Sequence, residues 1–140
     1  MVSMQPMHAY PTEDWILNVP TRVLHDRAFA WNAFAAGKAK LAFGSEWPVN
    51  KLSVVRAISH LVITRELFIT GGTEQRISLE ASLNGYTEVP ATALSDDAGK
   101  LGVLAENYLA DLVLVTDTTI TVDTVPQVTV CNGKITYNKY

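Results

Sequence analysis

Leu41-Ala42-Phe43-Gly44-Ser45-Glu46-Trp47-Pro48-Val49 is the stretch on which the fold of this chain turns. Three apolar residues stop at a glycine, and the run then delivers one carboxylate, a bulky aromatic and a proline. An apolar run this short, bounded by a glycine, reads as a buried strand. Pro48 can continue neither a helix nor a central strand, so Glu46 falls on the loop that leaves the strand. In alternating strand–helix folds, chemistry gathers at the C-terminal ends of the strands. A lone acid delivered at such an end is therefore the first candidate for function.

Working outward, the residues before this stretch repeat the pattern. Residues 2–6 read as a strand, and Met7-His8 lie at its C-terminal end. Thr12 can cap a helix with Glu13 and Asp14 in its first turn. Residues 23–36 form a second helical run, with Leu24, Ala28, Trp31 and Ala35 on one face and Gly37 as its stop. After the Glu46 loop, residues 53–68 carry the best helical spacing in the chain, on Val54, Ile58, Leu61, Val62 and Arg65, with Ser53 as N-cap. Ser78 can cap a further helix over 79–84, which Gly85 would end, and residues 91–94 add a short turn. Strands alternating with helices predict parallel units. His8 and Glu46 then face the same mouth.

From about residue 102 the texture becomes all-β. Asp111-Leu112-Val113-Leu114-Val115 is a continuous run of the kind found in strands buried on both faces. Residues 116–122, rich in threonine and valine, suit a strand or an extended edge. Val128-Thr129-Val130-Cys131, Asn132-Gly133 and Lys134-Ile135-Thr136-Tyr137 spell two alternating strands around a type I′ turn. The chain thus divides into residues 1–101, with strands and helices, and residues 102–140, with a β tail.

Composition bounds the function. With 140 residues and 48% hydrophobic content, the chain can bury a core and is too apolar for disorder. A net charge of −3 without a basic run argues against a nucleic-acid partner. One cysteine, Cys131, excludes an internal disulfide or a multi-cysteine metal site. No apolar run reaches membrane-spanning length, and the N-terminus lacks the pattern of a signal peptide, so a soluble cytoplasmic protein is expected. Residues 2–6 are strand-like without any lead-in, as though an N-terminal part preceded them.

Four segments, at residues 2–8, 41–49, 74–87 and 110–115, together resemble the C-terminal part of amidohydrolase family 3, of the amidohydrolase superfamily of metal-dependent hydrolases. The closing residues 128–137 resemble that family's last hairpin. The resemblance implies an α/β fold: a fragment of a (β/α)8 barrel comprising its last two strands with their helices, followed by a small all-β tail from the family's β-sandwich. Residues 2–7 would be the seventh barrel strand and 41–44 the eighth. In the family the eighth strand usually ends Gly-Ser-Asp-Trp-Pro-Val, and its aspartate contacts the metal or takes a proton from the metal-bound water. Glu46 holds that position here, one methylene longer, and is the implied catalytic acid and metal ligand. His8 and Trp47 are implied substrate contacts.

The same resemblance implies a divalent metal, zinc by the family's habit, and a small amide-type substrate cleaved at a C–N bond. The family's His-x-His is absent, and His8, His25 and His60 are too scattered to replace it. His25 and His60 lie in helical runs and are not read as functional; partial burial explains His60, beside Leu61 and two residues from Ile58. Asp111 opens a tail strand and reads as structural. Cys131 has no positioned histidine or aspartate beside it and is not read as a nucleophile. Where the family carries a glycine in the turn before Ala110-Asp111, this chain has Asn107, which can adopt the same left-handed conformation.

Two functions compete. The chain is the C-terminal portion of a metal-dependent amidohydrolase, incomplete for catalysis alone, or it is a non-catalytic remnant that binds or self-associates. Two adjacent barrel strands leave unpaired edges and an apolar face. The expectation is therefore a homo-oligomer, or association with a missing N-terminal part.

Overall fold

A computed structural model of the protein describes residues 1–9, 28–63, 75–93 and 99–140. Two very short strands set its frame. β1 (Val2–Met4) and β2 (Leu41–Phe43) run parallel, with Val2 opposite Leu41, Ser3 opposite Ala42 and Met4 opposite Phe43. Backbone bonds extend the ladder at both ends: Val2 N–H donates to the Lys40 carbonyl (2.8 Å) and Gly44 N–H to the Met4 carbonyl (3.2 Å). Pro6 has no N–H to continue β1. The chain instead winds into a 3₁₀ turn, Pro6–Ala9, so the expected strand over residues 2–7 is shorter than its sequence suggests.

The helices follow from capping and periodicity. Helix α1 (Trp31–Ala36) ends at Gly37 as expected, but begins later than the run 23–36 implied. Residues 28–30 lie outside it, Phe29 having a positive φ of 53°; residues 23–27 lie outside the described part. Helix α2 (Val54–Ile63) starts at Ser53, whose hydroxyl accepts the Arg56 N–H at 3.4 Å. Its expected continuation past residue 63 lies outside the described residues, as does the helix start at 12–14. Helix α3 (Leu79–Tyr86) is capped by Ser78, whose hydroxyl accepts the Ala81 N–H at 3.1 Å. A single turn, α4 (Glu88–Ala91), follows directly.

Helices α1, α3 and α4 all pack on β2, and α2 packs on α3 and on the 3₁₀ turn. β2 is buried along its whole length for that reason. Ala9, Trp31, Leu41, Phe43, Leu61 and Ile77 form the core, and full burial of a leucine such as Leu61 contributes about 1.5–3 kcal/mol. Gly85 was expected to end α3. It lies inside the helix instead, because this is where α3 touches β2. A Cβ at Gly85 would stand 2.3 Å from the Phe43 ring and 3.2 Å from the Leu41 carbonyl. Tyr86 then closes over Phe43, with ring centroids 5.5 Å apart.

In the tail, β3 (Leu112–Leu114), β4 (Val128–Cys131) and β5 (Lys134–Asn138) form an antiparallel sheet in that order. Asn132 and Gly133 both have positive φ (47° and 73°), the geometry of the expected type I′ turn. The Asp111 carboxylate accepts the Asn132 N–H, and the Ala110 carbonyl accepts the Gly133 N–H at 3.0 Å. Asp111 is thus a clamp on the hairpin. Asn107 has a φ of 69°, the left-handed conformation expected of it. No strand forms over residues 116–122.

A further expectation is overturned. β3 is not buried on either face; Val113 keeps 55% of its surface exposed. The register puts Leu112, Leu114, Val128, Val130 and Ile135 on one side of the sheet. Among the described residues no second layer covers β3, and a strand is buried only if something lies on it.

Gly85→Ala forces a methyl group into the Phe43 ring and should lower stability by about 1–3 kcal/mol in urea unfolding. Gly44→Ala is the control, since a Cβ there meets open space. An equal loss at both positions would contradict the close approach of α3 to β2.

Candidate functional site

The parallel pairing brings the ends of β1 and β2 to the same edge of the sheet, and one polar side chain issues from each end. His8 lies in the 3₁₀ turn after β1, where its N–H donates to the Gln5 carbonyl at 3.0 Å. Its neighbours Pro6, Met7 and Ala9 are buried, so the backbone under the imidazole is anchored in the core. Helix α2 packs against this turn.

Glu46 lies three residues beyond Phe43 and has a φ of 54°. This left-handed conformation costs a non-glycine residue roughly 1–2 kcal/mol, and such outliers cluster at functional sites. The loop that holds it is tied by its own hydrogen bonds. Val49 N–H donates to the Glu46 carbonyl at 2.9 Å, and Trp47 N–H to the Ser45 hydroxyl at 3.3 Å. The Trp47–Pro48 peptide is cis.

The two expected site residues meet. His8 Nε2 lies 3.2 Å from Glu46 Oε2. Nε2 is closed off from solvent and has no acceptor in line with its N–H, so the carboxylate meets it as a close charge rather than a directed hydrogen bond. The contact is a salt bridge only while the imidazole is protonated. Glu46 is 55% exposed, and pairs of that kind contribute about 0–1 kcal/mol. Its interest is therefore chemical: a carboxylate and an imidazole in contact can pass a proton or share a polar ligand.

The third expected residue stands differently. Trp47 is 68% exposed, and Pro48 and Val49 beside it are exposed too, so Trp47 does not pack over the strand ends among the described residues. Sequence reasoning missed Ser45, whose hydroxyl fixes the turn beside Glu46. A serine two residues before a backbone N–H is the signal for such a turn. His25 lies outside the described residues. Cys131, at the end of β4, is exposed and unbridged.

A divalent metal does not fit these side chains by themselves. Among the described residues, no three of His, Cys, Asp or Glu gather as a metal site would require. Catalytic zinc typically takes three protein ligands, and His8 with Glu46 makes two.

Two titrating groups flank the core. Burial, and after it the charge of Arg56, hold His60 below the ordinary value of 6.5. Burial pushes the Tyr86 phenol above its ordinary value, so it stays protonated against Phe43. Partial burial is what the sequence implied for His60.

Compared with known proteins, residues 1–137 match the model of a family described as the amidohydrolase family. No curated protein and no solved structure matches the chain.

The lowered value of His60 fixes the sign of a pH effect. The folded state favours neutral His60, so the unfolded chain takes up the proton first. His60's contribution to stability is intact above about pH 6.5 and is lost progressively as the pH falls from there toward the lowered folded value. His60→Gln should flatten that decline in thermal melts recorded between pH 7.5 and pH 5, and an unchanged slope would contradict the assignment.

Proposed function

The chain belongs to the amidohydrolase family, and from that premise we propose that it is the C-terminal portion of a metal-dependent hydrolase of C–N bonds. The observation that carries the reading is the meeting of His8 and Glu46 at 3.2 Å, at the ends of two paired parallel strands. Residues 1–101 represent the last two strands of a (β/α)8 barrel with their helices, and residues 102–140 the β tail. Active sites of such barrels lie at the C-terminal ends of the strands, where these two side chains are.

In this reading Glu46 is the acid of the site, holding or releasing a proton at its carboxylate and standing where the family's metal-contacting aspartate stands. His8 and Trp47 contact a small amide-type substrate, His8 by its ring nitrogen and Trp47 by its exposed indole face. The family generally uses divalent metals, with zinc the one proposed. In this reading the remaining ligands belong to an N-terminal part of the enzyme, and the whole works in the cytoplasm. The chain alone is incomplete for turnover.

One observation favours a second reading. The apolar side of the tail sheet lies open, with Ile135 65% exposed, and exposed apolar faces mark association sites. A non-catalytic remnant would cover that face with a second copy of itself.

The test measures zinc uptake, hydrolysis of N-acyl amino acids and sedimentation mass. It uses the purified chain alone and the chain together with the polypeptide encoded directly upstream. The proposal predicts zinc-dependent hydrolysis only in the combined form, falling at least about 100-fold in Glu46→Ala. Full activity of Glu46→Ala in an active complex would overturn it. A dimer that takes up no zinc and gains no activity would replace it with the second reading.

A further inference from the structure

Asn-Gly occurs twice in this chain, as Asn84-Gly85 and as Asn132-Gly133. The dipeptide is chemically labile, because glycine has no side chain to screen its backbone nitrogen. That nitrogen can attack the asparagine Cγ. A new N–C bond closes a five-membered succinimide, the nitrogen's proton passes to solvent base, and the side-chain amide takes up a proton and leaves as ammonia. Water then opens the ring at either carbonyl, giving aspartate or isoaspartate. The net change is hydrolysis of one amide, with nothing oxidised or reduced.

Ring closure requires the main chain to rotate between the asparagine Cα and its carbonyl, so the fold decides which pair reacts. Asn84-Gly85 lies inside α3, where Gly85 is buried and the Asn84 carbonyl accepts the Thr87 N–H at 3.2 Å. Rotation there would break the helix where it presses on Phe43. Asn132-Gly133 stands at the other extreme. Both residues are exposed, and a Cβ at Gly133 would meet open space.

Two hydrogen bonds restrain this second pair. Gly133 N–H donates to the Ala110 carbonyl at 3.0 Å, which occupies the proton that must leave before attack. Asn132 N–H donates to the Asp111 carboxylate, which holds the residue that must rotate. The same carboxylate places a negative charge beside a turn in which the attack develops another.

We infer that Asn132 is a deamidation site of this protein, that Asn84 is not, and that Asp111 is the residue that slows the reaction. The product matters to the tail sheet. Isoaspartate adds a methylene to the main chain of a two-residue turn that fixes the register of β4 on β5, and either product sets a second carboxylate near Asp111.

Peptide mapping by mass spectrometry tests this on the purified chain incubated at pH 8 and 37 °C, with and without concentrated urea. It scores aspartyl and isoaspartyl forms at residues 84 and 132 separately. In urea the two sites should convert at comparable rates, since the dipeptide is the same. In the folded chain Asn132 should outpace Asn84 at least about tenfold, as exposed turns open far more often than packed helices. Asp111→Ala should speed Asn132 about three- to tenfold, the factor that one lost hydrogen bond gives, and leave Asn84 unmoved. Asp111→Asn keeps an oxygen for the Asn132 N–H and should speed it less.

Equal rates at the two sites in the folded chain, or no acceleration of Asn132 in Asp111→Ala, would overturn the inference. If Asp111→Ala speeds Asn84 as well, that variant has unfolded and Asp111→Asn decides. Acceleration at Asn132 alone then supports the assignment, and none overturns it.

Discussion

The parallel ladder between β1 and β2 is the constraint on which the rest of this structure depends. It is three residue pairs long, too short to stand by itself in water, and it persists because helices bury β2 from end to end. That burial is made possible by a missing side chain. Gly85 lets α3 come down onto Phe43 and the Leu41 carbonyl, and Tyr86 seals the contact. The site inherits its geometry from this packing. Once the two strands lie side by side in register, their C-terminal ends are neighbours, and the residues leaving them meet.

What could be read from the sequence was local. The strand at residues 41–43, the serine caps at Ser53 and Ser78, the Asn132-Gly133 turn and the left-handed Asn107 each depend on a few adjacent residues, and all are present. Gly85 was misread because a glycine that ends a helix and a glycine that admits a neighbour look alike in sequence. β3 was misread for a related reason. A run of leucine and valine states a preference for burial, but the burial itself needs another layer, which the described residues do not supply.

The candidate site was half legible. His8 and Glu46 could each be placed at a strand end from the pattern of apolar runs, glycine and proline. Their distance could not, since it follows from a register between segments far apart in the chain and from a turn that puts Glu46 at positive φ. Trp47, the implied substrate contact beside Glu46, stands open to solvent. The same physics links it to the tail sheet: both present apolar surface where the described residues offer no partner. Among the described residues the site pair lacks a full metal-ligand set, and the apolar faces lack cover.

The most direct test of this account is a nuclear Overhauser map of the isolated chain in solution. The parallel register predicts cross-strand contacts between Val2 and Leu41 and between Met4 and Phe43, together with a contact from the His8 ring to the Glu46 side chain. A different register, or β1 unpaired with β2 while the helices remain, would separate His8 from Glu46 and contradict the site from which the function has been argued.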